Sequence, residues 1–225
     1  MFWAVLQPVL LVVLYWFVFT FMFRRASAPG HGEYIYFLVA GLIPWLAINE
    51  GLVRATTSIV DNGPMVRRLS FRGEMLVIVP NATAVIFECF AFAVFILFLF
   101  MKQGFPRMAW LLPFALVIQF GLQLGLSLML AAAYVFFRDL AQLLGFLLSF
   151  IFYLSPILYD PPAQFRSFFV WNPLTPLLGL FRSAVLSEAL PEVRSIVFLL
   201  AACSAMFVAG LFFFRRAEPG LVDLV

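Results

Sequence analysis

Residues 75–101 read MLVIVPNATAVIFECFAFAVFILFLFM, a run of twenty-seven positions that contains one charged residue, Glu88. About 20 consecutive apolar residues, each rising 1.5 Å, are enough to cross the hydrocarbon core of a bilayer as an α-helix. The whole chain has the same character, since 65% of its 225 residues are hydrophobic and 11% are charged. That is roughly half the charge of a soluble domain. The sequence therefore predicts an integral membrane protein.

Six such runs occur, and we predict a membrane-spanning helix in each. Lipid offers no hydrogen-bond partner to a backbone, and the runs have the length of helices rather than the alternating pattern of outer-membrane strands. The first run opens without a basic residue and stays apolar, which favours a retained span over a cleaved signal peptide. We expect one all-α transmembrane domain over residues 1–225, with spans at about 1–23, 34–56, 75–101, 108–137, 140–159 and 195–214.

Few residues in the chain are suited to catalysis or metal binding. Cys89 and Cys203 both fall inside predicted spans, where a thiol is typically a small packing group, and the single histidine, His31, has no cysteine nearby. A catalytic pair or a metal site needs more partners than these. The chain also lacks the G-x-x-x-x-G-K-[ST] motif that cradles nucleotide phosphates, so we do not expect it to bind ATP by itself.

Lys and Arg in the predicted loops do not decide the orientation, because seven lie on each side if both termini are cytoplasmic. The densest basic cluster lies in the loop 57–74, TSIVDNGPMVRRLSFRGE, and it favours placing this loop and both termini inside. A short amphipathic turn at 65–69 would suit docking into a groove on a soluble partner, or anchoring on lipid headgroups. Its residues are Met65, Val66, Arg67, Arg68 and Leu69, with Arg72 following.

The loop 160–194 contains an uncharged, aromatic-rich segment at 167–181 that is too short to span and is interrupted by Pro173 and Pro176. One interpretation is a re-entrant hairpin at the mouth of a water-filled path, because non-helical backbone at membrane depth must be covered by protein or water. The other is a pair of helices lying flat at the interface, with Phe169 and Trp171 as aromatic anchors.

Several residues inside the runs have both a functional and a packing interpretation. Glu88 is either a polar lining point of a path or a dimer contact, or it is hydrogen-bonded to Gln119 or Gln123. Glu50 is expected to pair with Arg54, four residues later. Gly121 and Gly125 form a G-x-x-x-G pattern that favours close helix packing within one subunit. Aromatic stripes pack, face lipid or line a path for sugars, and we consider Tyr15 and Phe19 in the first run and Phe146, Phe150 and Tyr153 in the fifth.

A family resemblance follows from five pieces in order: LQPVLLVVLYWFVF at 6–19, GLIPWLAINEGLVRATTSIVDN at 41–62, FRGEMLVIVP at 71–80, VFFRDLAQLLGFLLSFIFYLSPILY at 135–159 and NPLTPLLGLFR at 172–182. The order of F-F-R-D, S-P-I-L-Y and N-P-x-x-P is the most specific part. Together they resemble the type-2 ABC permeases of polysaccharide and polyol phosphate exporters, which move O-antigen, capsular polysaccharide or teichoic acid.

The resemblance implies a homodimer of six-helix permeases in the bacterial inner membrane, with cytoplasmic N-termini and one channel for a lipid-linked glycan. Two copies of a separate ATPase subunit would supply the energy, so ATP and Mg²⁺ are expected on that partner and no cofactor on this chain. The loop 57–74 would then be the coupling loop. The loop 160–194, with the end of the fifth run, would form the outer gate, whose candidate residues are Ser155, Pro156, Tyr159, Trp171, Asn172, Pro173 and Pro176.

The chain departs from this family at its start. Relatives usually carry a basic amphipathic segment of about 30 residues before the first span, and this sequence begins directly with Met1, Phe2 and Trp3. Two other functions remain alternatives: an ABC permease that exports a drug or small lipid, and a membrane-embedded enzyme acting on lipid-linked sugars. The enzyme would need convergent polar groups within the spans, and Glu50 and Glu88 are nearly all that the spans offer.

Overall fold

The computed structural model describes residues 34–63, 73–160 and 171–224, together with Leu14, Phe17 and Phe169. These residues are helical and contain no strand. The six helices are α1 (Tyr34–Asp61), α2 (Gly73–Gln103), α3 (Leu112–Phe136), α4 (Leu140–Leu154), α5 (Leu174–Leu186) and α6 (Val193–Leu224), and a 3₁₀ turn at Ala109–Leu111 precedes α3. The predicted all-α class is confirmed for this part of the chain.

Four of the described helices, α1, α2, α3 with its 3₁₀ turn, and α6, are long and apolar enough to cross a membrane. The other two are shorter, with 15 residues in α4 and 13 in α5. The first predicted span, including Tyr15 and Phe19, lies outside the described residues apart from Leu14 and Phe17. These helices are those of a multi-pass membrane protein.

The fifth run differs from its prediction, because its helix ends at Leu154 rather than near Tyr159. Ser155 is extended, with φ −99° and ψ 147°, as expected for a residue that precedes a proline. Pro156 therefore stops the helix, and residues 155–159 form a non-helical segment that we call the outer turn. Hydropathy missed this end because Ile157 and Leu158 continue the apolar run.

Helix α1 lies at the centre of the bundle and packs against α2, α3, α4 and α5. Its apolar side chains belong to two buried clusters. The larger one is shared mainly with α4, α5 and the second half of α2, and the smaller one with the start of α2, α3 and α6. Within the larger cluster the rings of Phe92 and Phe181 stack 5.2 Å apart and nearly parallel. The short helix α5 is thus mostly covered by protein rather than by lipid.

Helices α3 and α6 cross at glycines, as the G-x-x-x-G pattern predicts. A Cβ added to Gly125 would meet the backbone of Met206 at 2.6 Å, and one added to Gly121 would meet the Cys203 sulfur at 2.9 Å. The absence of side chains allows the two backbones to approach closely. The predicted packing within one subunit is confirmed.

Polar side chains are buried between α1, α2 and α3. Gln119 Nε2 donates to Glu88 Oε2 at 2.5 Å, and Ser127 Oγ donates to Asn81 Oδ1 at 3.1 Å. The alternative in which Glu88 bonds to Gln119 is therefore confirmed. At the exposed part of α1, Arg54 and Glu50 form the expected ion pair at 2.7 Å.

Candidate functional site

A groove of about 180 Å³ lies between α1 and α4. Its wall combines aromatic rings with a few polar groups, which is typical of ligand-binding surfaces. It is smaller than the pockets of roughly 300–1,000 Å³ that enclose drug-sized ligands, so it offers contact along one side. The lining residues are Leu42, Trp45, Leu46 and Asn49 from α1, and Leu148, Ser149, Phe152 and Tyr153 from α4.

The aromatic part of the groove has a rigid base and an accessible edge. Trp45 and Phe152 are buried, with ring centroids 5.6 Å apart, and Phe152 meets Tyr153 edge to face at 5.2 Å. Tyr153 itself is 61% exposed. Trp45 and Phe152 therefore support the ring of Tyr153, whose exposed face can contact another molecule.

The predicted aromatic stripe of the fifth run follows the outer face of α4. Phe146 is 71% exposed and Phe150 is 57% exposed, and with Tyr153 they lie four and three residues apart on the same side of the helix. Tyr153 belongs to the groove, and the other two continue its surface along α4. Glu88, the polar candidate for a path, lies elsewhere, because its side chain is buried against Gln119 and does not line the groove.

The outer turn adjoins the end of the groove and contains three of the predicted gate residues. Ser155 and Pro156 are buried, and the hydroxyl of Tyr159 donates to the carbonyl of Tyr153 at 2.7 Å. Asn172 Nδ2 donates to Ser155 Oγ at 3.0 Å, so the residue just before α5 is held against the start of the turn. The structure therefore brings Ser155 and Asn172 together across seventeen positions of sequence.

The remaining gate candidates surround the first turn of α5. Pro173 precedes the helix and Pro176 is buried within it, where missing N–H groups at a helix start cost no hydrogen bond. Trp171 is exposed and meets Phe198 of α6 edge to face at 6.0 Å. Trp171 is thus an exposed aromatic side chain beside α6, and Pro173 and Pro176 lie at the start of α5 within the loop 160–194.

Two side chains that the sequence reasoning passed over hold the carbonyls of the outer turn. Arg182 Nη2 donates to the carbonyls of Pro156 at 2.8 Å and Ile157 at 3.1 Å, and the hydroxyl of Tyr34 donates to that of Leu158 at 2.8 Å. In the sequence, Arg182 is one of the basic residues of the loop 160–194. The available signal was a lone charge within the otherwise apolar segment 174–186.

The predicted coupling residues Met65, Val66, Arg67, Arg68, Leu69 and Arg72 lie outside the described residues. The helix that follows them is tied to the end of α6, because Arg215 Nε lies 3.1 Å from Glu74 Oε1. Gly73 faces the ring of Phe214 beside this ion pair. In the described part of the chain no group of three or more His, Cys, Asp or Glu residues is placed to hold a metal ion.

Comparison with known proteins gives a consistent result over nearly the whole chain, although no protein-family model matches it. The chain is 24% identical to the O-antigen export system permease protein RfbA of Klebsiella pneumoniae, with 99% of this chain and 86% of the relative covered. It is 26% identical to RfbA of Myxococcus xanthus, over 96% and 85%. It is 24% identical to the polysialic acid transport protein KpsM of Escherichia coli, over 98% and 86%.

These relatives carry the names of transport proteins, in agreement with the expected transport subunit. The similarity extends across the groove, the outer turn and α5 rather than being confined to one apolar run, since it covers almost every residue. The chain is therefore a homologue, over nearly its whole length, of proteins named as O-antigen export permeases and as a polysialic acid transport protein.

Proposed function

We propose that this chain is the membrane subunit of an ATP-driven exporter that moves a lipid-linked polysaccharide of the O-antigen, capsule or teichoic acid type across the bacterial inner membrane. The observation that carries the proposal is the similarity, from end to end, to permeases named for O-antigen and polysialic acid export. An enzyme would need a converging set of reactive groups, and the buried polar side chains between α1, α2 and α3 are instead engaged with one another.

The groove between α1 and α4 is the proposed wall of the export path. Tyr153 presents a ring that can stack on the apolar face of a sugar, and Asn49 and Ser149 offer hydrogen-bonding groups beside it. Phe146 and Phe150 extend this aromatic surface along α4. A polymer that slides needs many weak contacts rather than one enclosing pocket, and a shallow groove of this composition meets that need.

The proposed homodimer explains why the aromatic side of α4 is exposed in a single copy. This helix buries only one side, through Leu144, Leu148 and Phe152, and leaves its aromatic side uncovered. In our proposal two copies place these faces around a common channel, with the predicted first span completing the wall through Tyr15 and Phe19. Six spans per copy, a re-entrant hairpin between α4 and α6 and cytoplasmic termini belong to the same proposal.

A separate ATPase subunit, in two copies, is the proposed source of energy and the site of ATP and Mg²⁺. Residues 65–69, with Arg67 and Arg68, are the proposed contact for this partner. The ion pair between Glu74 and Arg215 supports this role, because it links the helix that follows the loop to the end of α6. Movement of the loop would then reach two helices of the bundle together.

Co-purification tests the proposed assembly. The full chain, expressed with a candidate ATPase subunit from the same cells, should copurify with that ATPase and change its rate of hydrolysis. Replacement of residues 65–69 by Gly and Ser should abolish both effects and leave the amount of permease in the membrane unchanged. Full export with the replaced loop would contradict the docking role, and cargo of the drug or small-lipid class would contradict the glycan assignment.

A further inference from the structure

The outer turn is non-helical backbone that is nevertheless buried. Ser155, Pro156, Ile157 and Leu158 all lie inside the protein. The Ser155 carbonyl accepts a bond from Ile157 N–H at 2.7 Å, whereas the carbonyls of Pro156, Ile157 and Leu158 accept from side chains of other helices. Buried carbonyls without donors are costly, above all in a membrane protein where lipid supplies none. The turn is therefore stable in this form only while other elements donate to it.

The donors are side chains from helices that are far away in sequence. Arg182 of α5 donates to two successive carbonyls, those of Pro156 and Ile157, and Tyr34 at the start of α1 donates to that of Leu158. Tyr34 and Leu158 are 124 positions apart. These bonds join α1, the outer turn and α5, so the turn cannot leave its place without releasing both helices.

Arg182 is held in a site shaped for its guanidinium. The side chain is 6% exposed, and its Cζ lies 3.5 Å from the centroid of the Phe37 ring, close enough for a cation–π interaction. Gly41 makes room for the charged end, because an added Cβ there would lie 2.9 Å from Arg182 Nη2 and 3.3 Å from the Ile157 carbonyl. Glu188 and Asp160 contribute longer-range attraction.

The position of the turn connects this site to the groove. The turn begins directly after α4, and Tyr159 at its end bonds back to the carbonyl of Tyr153, which lines the groove. Movement of α4 away from α1 would widen the groove and pull the turn with it. The two bonds from Arg182 would then have to break.

We propose that Arg182 is a positioning residue that holds α4 against α1 through the outer turn, and that the groove widens only when Arg182 releases the carbonyls of Pro156 and Ile157. The proposal rests on the transport function proposed above. Arg182, a buried cation, thus stabilises the closed form of the path. Gly41 and Tyr34 contribute to the same set of contacts.

Ion conductance in the absence of nucleotide tests the proposal, with KCl as the probe and the purified full chain in planar lipid bilayers. Arg182→Met removes the nitrogen that donates both bonds and should raise the resting conductance about tenfold or more over the unaltered protein, because a closed form that loses its charged hydrogen bonds is less populated. Arg182→Lys keeps a cation and should restore closure in part. Arg194→Met, at an exposed arginine in the first turn of α6, is the matched control and should leave the conductance unchanged.

Two further variants keep Arg182 in place, in case Arg182→Met does not reach the membrane in folded form. Gly41→Ala should push the guanidinium away from Ile157, and Tyr34→Phe should remove the bond to Leu158, so both should raise the resting conductance. Folded protein at normal amounts with unchanged conductance in these variants would overturn the proposal. Normal glycan export together with that result would overturn this inference alone, whereas a raised conductance in a protein that exports no glycan would overturn only the proposed cargo.

Discussion

Gln119 of α3 donates a hydrogen bond of 2.5 Å to Glu88 of α2 in the interior of the bundle. The second carboxylate oxygen of Glu88, Oε1, and the amide oxygen of Gln119, Oε1, are both buried and have no hydrogen-bond partner among the described residues. The pair is therefore sensitive to the loss of either member, because a buried polar group without its partner costs about 1–3 kcal/mol. This sensitivity leads to the first prediction.

Gln119→Leu should lower the stability of the protein by about 1–3 kcal/mol, since it leaves the carboxyl of Glu88 without a donor. Adding Glu88→Leu to the same protein should restore part of that loss, because both polar groups are then gone. Thermal unfolding in detergent measures the two changes. If Glu88→Leu lowers the stability of the Gln119→Leu protein by as much as it lowers that of the unaltered protein, the pair does not act as a unit.

The α3–α6 crossing makes a second prediction about glycines. Gly125→Ala should destabilise the fold by about 1–3 kcal/mol, because its Cβ would meet the backbone of Met206 rather than a side chain that can turn away. Gly145→Ala is the matched control, since nothing lies within 4 Å of the Cβ it would add. The control should be neutral or stabilising by up to about 1 kcal/mol, through helix propensity. Equal melting temperatures for the two variants would contradict the close packing.

A third prediction concerns the aromatic surface of α4. Tyr153→Ala and Phe150→Ala should each reduce glycan export by about five- to tenfold, which corresponds to roughly 1–1.4 kcal/mol of lost contact. Tyr153→Phe should retain most of the export, because the ring remains. Surface polysaccharide, measured against the amount of permease in the membrane, reports the effect.

Phe90→Ala serves as the control for this set, because Phe90 is also an exposed aromatic residue but lies on α2, away from the groove. Its export should equal that of the unaltered protein. Equal losses from Phe90→Ala and Phe150→Ala would mean that α4 contributes lipid contact rather than a wall of the path.

A fourth prediction tests the basic residues of the coupling loop. Arg67→Ala with Arg68→Ala should weaken the stimulation of the partner ATPase severalfold, because two charged contacts are removed from the proposed docking turn. Arg216→Ala, an exposed basic residue at the same proposed side of the membrane, is the control. ATP hydrolysis by the reconstituted complex provides the measurement. A loss that is equal in both variants would point to general charge rather than to docking.

The helices and their local contacts were largely predictable from the sequence. Unbroken apolar runs are sufficient to indicate spans, and the pairs Glu50–Arg54 and Gly121–Gly125 follow from the spacing of residues on one helix. The bond between Glu88 and Gln119 joins two helices, but it was within reach because few polar partners exist in the runs. In each case the sequence offered few alternative partners.

The outer turn was not predictable in the same way. Its apolar residues extend the fifth run, so hydropathy alone places the end of the helix too late, and the restriction that Pro156 imposes on Ser155 is the signal that corrects it. The role of Arg182 depends on carbonyls 25 and 26 positions away and on a ring at Phe37 in another helix. No periodicity within α5 reports such partners, because they are set by tertiary packing.

Deletion of the gene from the cells that carry it tests the transport function most directly. The measurement is the location of the lipid-linked glycan. Deletion should remove the polysaccharide from the cell surface and cause its lipid-linked form to accumulate on the cytoplasmic side, and the unaltered gene should restore the surface polymer. An unchanged surface polysaccharide in the deletion strain, with no accumulation inside, would contradict a polysaccharide export function for this protein.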